Sequence, residues 1–183
     1  MIRLVPNIIT FCRLAAVPLA VWLILNEEIL LAFWLFVIAG ISDAVDGYLA
    51  KRFDAVTVLG SYLDPLADKA LLVSVYITLG VVGHLDNWLV ILVVFRDLLI
   101  VGGALVFQTM TQSLIMQPLF ISKINTVAQI VLAALVLAAV GFKVDPNPFM
   151  NIMLGAVAIT TLLSGVMYVV KWTQKANAME DRQ

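Results

Sequence analysis

ILLAFWLFVIAGISDAVDGYLAKR, residues 29–52, changes character halfway along. Residues 29–41 carry no charge, and Asp43, Asp46, Lys51 and Arg52 then follow within a few turns. GSYLDPLADK, residues 60–69, reverses that order: Asp64 and Asp68 come first and an apolar run follows. A surface helix of a soluble protein separates polar from apolar residues around its axis, with a period of about 3.6 residues. Here the separation runs along the axis, as it does when a helix leaves a bilayer. The two stretches read as an antiparallel pair of membrane helices whose acidic ends share one membrane face.

Composition extends that reading to the whole chain. Of 183 residues, 63% are hydrophobic and 13% charged, and the mean hydropathy is +1.06. Soluble domains run at about 45–50% apolar and about 25% charged. Disorder, a disulfide scaffold and a nucleic-acid-binding domain are excluded, the last also by the net charge of −1. One cysteine, Cys12, and one histidine, His84, leave no Cys/His metal cluster and no histidine-based triad.

A bilayer crossing takes about 20 mostly apolar residues. Six stretches qualify: residues 7–25, 28–53, 59–83, 88–110, 120–142 and 148–172, separated by short turns. The expected architecture is all-α, six transmembrane helices in one bundle. It forms a single domain over residues 1–183, with a short N-terminal segment 1–6 and a C-terminal tail 173–183. Cytoplasmic loops carry the excess of Lys and Arg. With the N-terminus inside, the inner face receives Arg3, Lys51, Arg52, Lys171, Lys175 and Arg182, and the outer face receives Lys143. Both termini and the acidic helix ends are therefore expected in the cytoplasm. A short chain without a transit peptide suits a bacterial inner membrane.

Asp43 and Asp46 are three residues apart and Asp64 and Asp68 four, so each pair shares a helix face. A bend near residues 53–58 brings both pairs to one depth. An aspartate at a membrane helix centre costs about 2.5–3.5 kcal/mol, and less near the interface. Four together repel one another. Protonation or divalent cations would relieve this, and all-oxygen ligand sets suit Mg²⁺, Mn²⁺ or Ca²⁺. Two such ions about 3.5–4 Å apart form the clamp used in phosphoryl transfer. Gly47 and Gly60 leave room for a ligand beside the acids. Ala50 leaves space below Asp46, and Lys51 and Arg52 supply positive charge for a diphosphate.

At these residues the sequence resembles the CDP-alcohol phosphotransferase family, whose signature is Asp-x2-Asp-Gly-x2-Ala-Arg-x8-Gly-x3-Asp-x3-Asp. Asp43, Asp46, Gly47, Ala50, Gly60, Asp64 and Asp68 keep every spacing, and Lys51 replaces the arginine. Lysine offers a phosphate a point charge where arginine offers a planar fork. The resemblance implies a homodimeric membrane enzyme that binds a CDP-linked lipid, usually CDP-diacylglycerol, on the cytoplasmic side at Gly47, Ala50, Lys51 and Gly60. It implies two divalent cations (Mg²⁺ or Mn²⁺) on Asp43, Asp46, Asp64 and Asp68. Asp68 would also be the base that takes the acceptor's proton as CMP leaves.

Within the family, several stretches look like the CMP-forming cardiolipin synthases: Pro6-Asn7 with Arg13, residues 63–69, Arg96-Asp97, and Phe120-Ile121-Ser122-Lys123-Ile124-Asn125-Thr126. The implied acceptor is phosphatidylglycerol. The phosphatidylglycerophosphate synthases, which use glycerol 3-phosphate, share the core motif. They typically carry Arg-Glu where Arg96-Asp97 stands, and a second arginine where this chain has Ala104. A phosphate monoester wants more cationic partners than a phosphodiester does, so the sparse charge of span four points to a phosphodiester lipid.

Ser122, Lys123 and Asn125, opening span five, are candidate contacts for the acceptor phosphate. Interfacial snorkelling is the other reading of Lys123. Arg13, two turns into span one, needs either a lipid phosphate or one of the aspartates. Arg96 and Asp97 are adjacent and so do not face each other on a helix. Each is expected to pair with another helix or across a dimer contact, in a structural role. Gly102, Gly103, Gly155 and Gly165 suit close packing, and the four tryptophans suit interfacial belts. An ion-coupled transporter is the rival class, since intramembrane acids also mark ion pathways. Clustering at one face and the lack of repeated halves speak against it.

Overall fold

The computed structural model describes the backbone of residues 5–52, 58–111, 120–144 and 148–180, and the side chains of residues 12–42, 69–103, 120–144 and 149–174. Every regular element among the described residues is a helix: α1 (Val5–Leu25), α2 (Ile29–Arg52), α3 (Val58–Val82), α4 (Asn87–Thr111), α5 (Phe120–Gly141) and α6 (Pro148–Glu180). The six expected spans match these helices closely. The one sizeable difference is α6, which continues to Glu180 through the stretch expected as a tail. Its added residues, TQKANAME, are mostly good helix formers, so the helix continues after the apolar run stops. Pro148 sits at its first position, where a missing N–H costs nothing. The expected bend near residues 53–58 lies largely outside the described residues.

Helices α1, α3 and α5 end in the same hydrogen-bonded turn. After α1, Glu27 N–H donates to Ile24 O and Glu28 N–H to Leu23 O; after α3, Gly83 N–H donates to Gly80 O and His84 N–H to Leu79 O; after α5, Lys143 N–H donates to Val140 O and Val144 N–H to Ala139 O. This is the Schellman pattern, which places one residue in the left-handed region. Gly83 occupies it at φ 86°, but Glu27 and Lys143 occupy it at 62° and 54° with side chains attached.

The contacts cluster into two units. One comprises residues 1–86 and 133–147, the other residues 87–132 and 148–183, so α5 contributes to both. In the first unit α1 packs on α2 and α3. Its buried seam reads Arg13, Ala16, Ala20, Leu23, and that of α2 reads Ile29, Ala32, Phe36, Ala39. Both keep the three-then-four spacing of one helix face. Gly141 brings the end of α5 against the start of α2: a Cβ there would lie 3.1 Å from Leu30 Cα. Phe142 meets Phe33 edge-on at 5.7 Å beside it.

In the second unit α4 packs on α6. Gly103 lies directly under the ring of Trp172, so a β-carbon there would overlap the indole. Trp172 is held in turn by Tyr168, edge-on at 5.9 Å. This places Trp172 in helix packing, whereas Trp22, Trp34 and Trp88 are exposed as belt residues should be. Gly103 is a close-packing point as expected. Gly102 and Gly155 have open space around them, and a Cβ on Gly165 would make ordinary contact with Arg96.

Polarity is inverted relative to a soluble protein. Arg96, Asp97, Asn125, Gln129, Thr161 and Ser164 are all buried, while Ile91, Phe95, Leu98 and Val81 are among the most exposed side chains. Such a surface needs an apolar solvent. Phe120–Gly141 and Phe149–Gln174 are long and apolar enough to cross a membrane, with mean hydropathies of 2.1 and 2.0.

Candidate functional site

The four aspartates stand on continuous helix. Asp46 precedes Arg52 by six residues and Asp64 follows Val58 by six; Asp43 and Asp68 stand nine and ten residues from those same ends. At 1.5 Å per residue, the pairs sit about 9 and about 14 Å from the helix ends that flank residues 53–57. Backbone position is thus consistent with a common depth. The side chains of Asp43, Asp46, Gly47, Ala50, Lys51, Gly60, Asp64 and Asp68 lie outside the described residues. Among the described residues no group of three His, Cys, Asp or Glu side chains gathers. Four carboxylates are a hard, all-oxygen set that fits Mg²⁺ or Mn²⁺.

On the same unit, Arg13 is buried at 6% exposure. It lines a cavity of about 170 Å³ between α1 and α2, with Ala16, Leu35, Ile38, Ala39 and Ser42 around it.

The second unit contains a polar assembly built on Arg96. Its Nη1 donates to Asp97 Oδ1 at 2.7 Å, Nη2 to the Ser122 hydroxyl at 2.6 Å and also to Ser164 Oγ, and Nε to Ser164 Oγ at 3.1 Å. One guanidinium therefore joins α4, α5 and α6. Arg96 was expected to reach other helices, and it does. The expectation that it would not meet Asp97 is corrected, because the long arginine stem lets the guanidinium fold back onto the neighbouring carboxylate.

One turn further along α5, Asn125 is fully buried. Its Oδ1 accepts a 2.9 Å hydrogen bond from the Thr161 hydroxyl and lies 2.8 Å from that of Thr160, which also reaches the Ala156 carbonyl. Its Nδ2 is buried without a hydrogen-bond partner among the described residues. Ser122 is half-buried and Lys123 exposed on the first turn of α5. The structure thus joins Ser122 to Arg96 and Asn125 to α6, and leaves Lys123 facing outward. Ser164, Thr160 and Thr161 were not singled out from sequence. Their signal was available: polar residues three to four apart in an otherwise apolar helix, on the face that carries the buried Val157.

These features define a helical membrane protein with an acidic, hard-donor helix pair and a buried arginine cluster. The family model of the CDP-alcohol phosphatidyltransferases matches residues 3–170, and the chain belongs to that family, which is membrane-embedded and generally uses divalent metal. Among its relatives, the rice (Oryza sativa subsp. japonica) chloroplastic CDP-diacylglycerol–glycerol-3-phosphate 3-phosphatidyltransferase 1 is 37% identical over 92% of this chain and 57% of the rice protein. The rat (Rattus norvegicus) CMP-forming cardiolipin synthase is 31% identical over 90% of this chain and 60% of the rat protein. The Bacillus subtilis CDP-diacylglycerol–glycerol-3-phosphate 3-phosphatidyltransferase is 32% identical over 91% of this chain and 93% of its own length. The chain thus spans less than two thirds of the plant and animal relatives and nearly all of the bacterial one.

Proposed function

We propose that the protein transfers the phosphatidyl group of CDP-diacylglycerol to the hydroxyl of phosphatidylglycerol, giving cardiolipin and CMP. It would work as a homodimer in a bacterial cytoplasmic membrane, with the site facing the cytoplasm. Asp43, Asp46, Asp64 and Asp68 would hold two divalent cations, whose chemistry is to polarise the phosphorus centre and neutralise the departing phosphate. Gly47, Ala50 and Gly60 leave room for the nucleotide diphosphate, and Lys51 adds a cation beside it. A carboxylate oxygen of Asp68 accepts the acceptor's hydroxyl proton. The acceptor oxygen then forms its bond to the phosphorus that carries diacylglycerol, and the bridging P–O bond breaks with its electron pair leaving on CMP. Ser122, Lys123, Asn125 and Arg13 serve the acceptor side.

The observation that carries the choice of acceptor is the engagement of Arg96. With Asp97, Ser122 and Ser164 already on its guanidinium, α4 has no cation to spare for a phosphate monoester, whose second charge asks for one. A second reading, glycerol 3-phosphate as acceptor, is supported by the Bacillus subtilis relative, which this chain spans almost end to end. The test is competition: purified protein, CDP-diacylglycerol and Mg²⁺ with equal concentrations of the two acceptors. Cardiolipin is the expected main product, and a product bearing a phosphate monoester would overturn the choice. Absence of CMP release with every acceptor would return the protein to the carrier class.

A further inference from the structure

Hydrogen bonds between membrane helices add little stability, but they fix which faces meet. Two such rungs join α5 to α6. In the first, the Ser122 and Ser164 hydroxyls both accept from the Arg96 guanidinium. In the second, Asn125 Oδ1 accepts from the Thr161 hydroxyl at 2.9 Å. Ser122 and Asn125 are three residues apart on α5, and Thr161 and Ser164 three apart on α6. The rungs are therefore spaced about 4.5 Å along each axis, in reversed order on the two helices, as in an antiparallel pair.

One rung alone would leave α5 free to turn about its axis. Two on one face, at matched spacing, fix its rotation as well as its depth. At 3.6 residues per turn, a slip of one residue turns a helix by about 100°. Lys123 lies between the two rung residues in sequence and is exposed, so such a turn would swing its ammonium to another side of α5.

Stability does not account for the second rung. The same face of α6 buries Val157, so it accepts apolar side chains. An apolar pair would hold the helices without leaving Asn125 Nδ2 buried and lacking a hydrogen-bond partner among the described residues, which is costly. The Thr161 hydroxyl is directed to Asn125, whereas Thr160 has one proton for two acceptors, Asn125 Oδ1 and the Ala156 carbonyl, each at 2.8 Å. Thr161 thus sets the rung and Thr160 supports it.

We infer that Thr161 and Ser164 are positioning residues of the acceptor site: they hold α5 in the rotation that presents Lys123 to the acceptor phosphate. This deepens the proposed function and rests on it for the role of Lys123. Thr161 and Ser164 act through α5 and touch no substrate.

The test is a double-mutant cycle read in KM. Full-length parent, Thr161→Val, Thr161→Ser, Lys123→Ala and the Thr161→Val/Lys123→Ala double variant are purified. CMP release is measured with Mg²⁺ while phosphatidylglycerol and then CDP-diacylglycerol is varied. Thr161→Val is expected to raise the acceptor KM about tenfold, the scale of one charge-assisted contact, while kcat and the CDP-diacylglycerol KM move less than about twofold. Thr161→Ser restores the hydroxyl and should recover the parental KM. In the Lys123→Ala background, Thr161→Val should add less than about twofold, because its effect passes through the missing ammonium. Ser164→Ala, which leaves Arg96 with Asp97 and Ser122, should repeat the pattern and covers the case in which Thr161→Val fails to fold.

Effects that multiply in the double variant, a Thr161→Ser as impaired as Thr161→Val, equal rises in both KM values, or a parental acceptor KM in Lys123→Ala would each overturn the inference, and the parent's turnover would leave the proposed function standing. A parent that uses glycerol 3-phosphate and not phosphatidylglycerol would defeat only the choice of acceptor, and the cycle is then read in the glycerol 3-phosphate KM. A parent that releases no CMP with either would defeat the proposed function and this inference with it.

Discussion

Arg96 Nη2 donates a 2.6 Å hydrogen bond to the hydroxyl of Ser122, tying the middle of α4 to the first turn of α5. The residue after Ser122 is Lys123, the candidate contact for the acceptor phosphate, so the arginine holds the turn that presents it. Removing the arginine alone also takes one partner from Asp97, which is only 5% exposed. Breaking a buried ion pair by removing one partner costs up to about 3–5 kcal/mol. Arg96→Ala is therefore expected to lower the thermal midpoint severely, and Arg96→Ala with Asp97→Ala to recover much of the loss. Ser122→Ala, which removes one charge-assisted bond of about 1.5–3 kcal/mol at most, should be milder. Thermal unfolding in detergent of the three variants checks the order; a double variant weaker than Arg96→Ala would refute the pairing.

Two adjacent glycines on α4 give opposite expectations. Gly103 is covered by the Trp172 ring, while a side chain on Gly102 would enter open space. Gly103→Ala must displace the indole, and overpacking of this kind costs about 1–3 kcal/mol. Gly102→Ala removes backbone freedom from a helix interior and should stabilise by up to about 1 kcal/mol. Thermal midpoints of the two variants should move in opposite directions. Trp172→Leu should relieve Gly103→Ala specifically.

Left-handed residues cost an L-amino acid about 1–2 kcal/mol relative to glycine. Glu27 and Lys143 bear that cost at positions equivalent to Gly83. Glu27→Gly and Lys143→Gly are each expected to raise stability by up to about 1 kcal/mol after the extra freedom of the unfolded chain is counted. Gly83→Ala should lower it by a similar amount. A thermal scan that shows Glu27→Gly or Lys143→Gly destabilising would contradict the cap geometry.

The helices were legible because apolar run length is a local property; the acid motif is a matter of spacing within residues 43–68, and its side chains lie outside the described residues. Contacts that depend on side chains meeting from distant positions were not legible. Nothing near Trp172 in the sequence indicates that its ring covers Gly103, so it read as a belt residue. The Arg96–Asp97 pair was missed for a different reason. Adjacent Cβ atoms do diverge on a helix, but a guanidinium reaches back over that divergence when Ser122 and Ser164 draw it inward. The extension of α6 to Glu180 was hidden because hydropathy measures where the membrane ends, and a helix of good formers can pass that point.

Asp68 carries the sharpest expectation for chemistry. Aspartate and asparagine have nearly the same shape, so Asp68→Asn removes a negative charge and a proton acceptor while changing little volume. Loss of a general base alone slows a reaction about 10²–10⁴-fold, and loss of a metal ligand adds to that. Its neighbours would then repel one another less, so the variant should be no less stable than the parent in metal-free buffer. The expected result is a folded, extractable protein with CMP release from CDP-diacylglycerol reduced at least about 10²-fold. Chelation by EDTA should silence the parent in the same assay, and Mg²⁺ or Mn²⁺ should restore it; Asp68→Asn should respond to neither. Turnover near the parental rate in Asp68→Asn would remove this residue from the base role, and activity that survives chelation would remove the cations from the quartet.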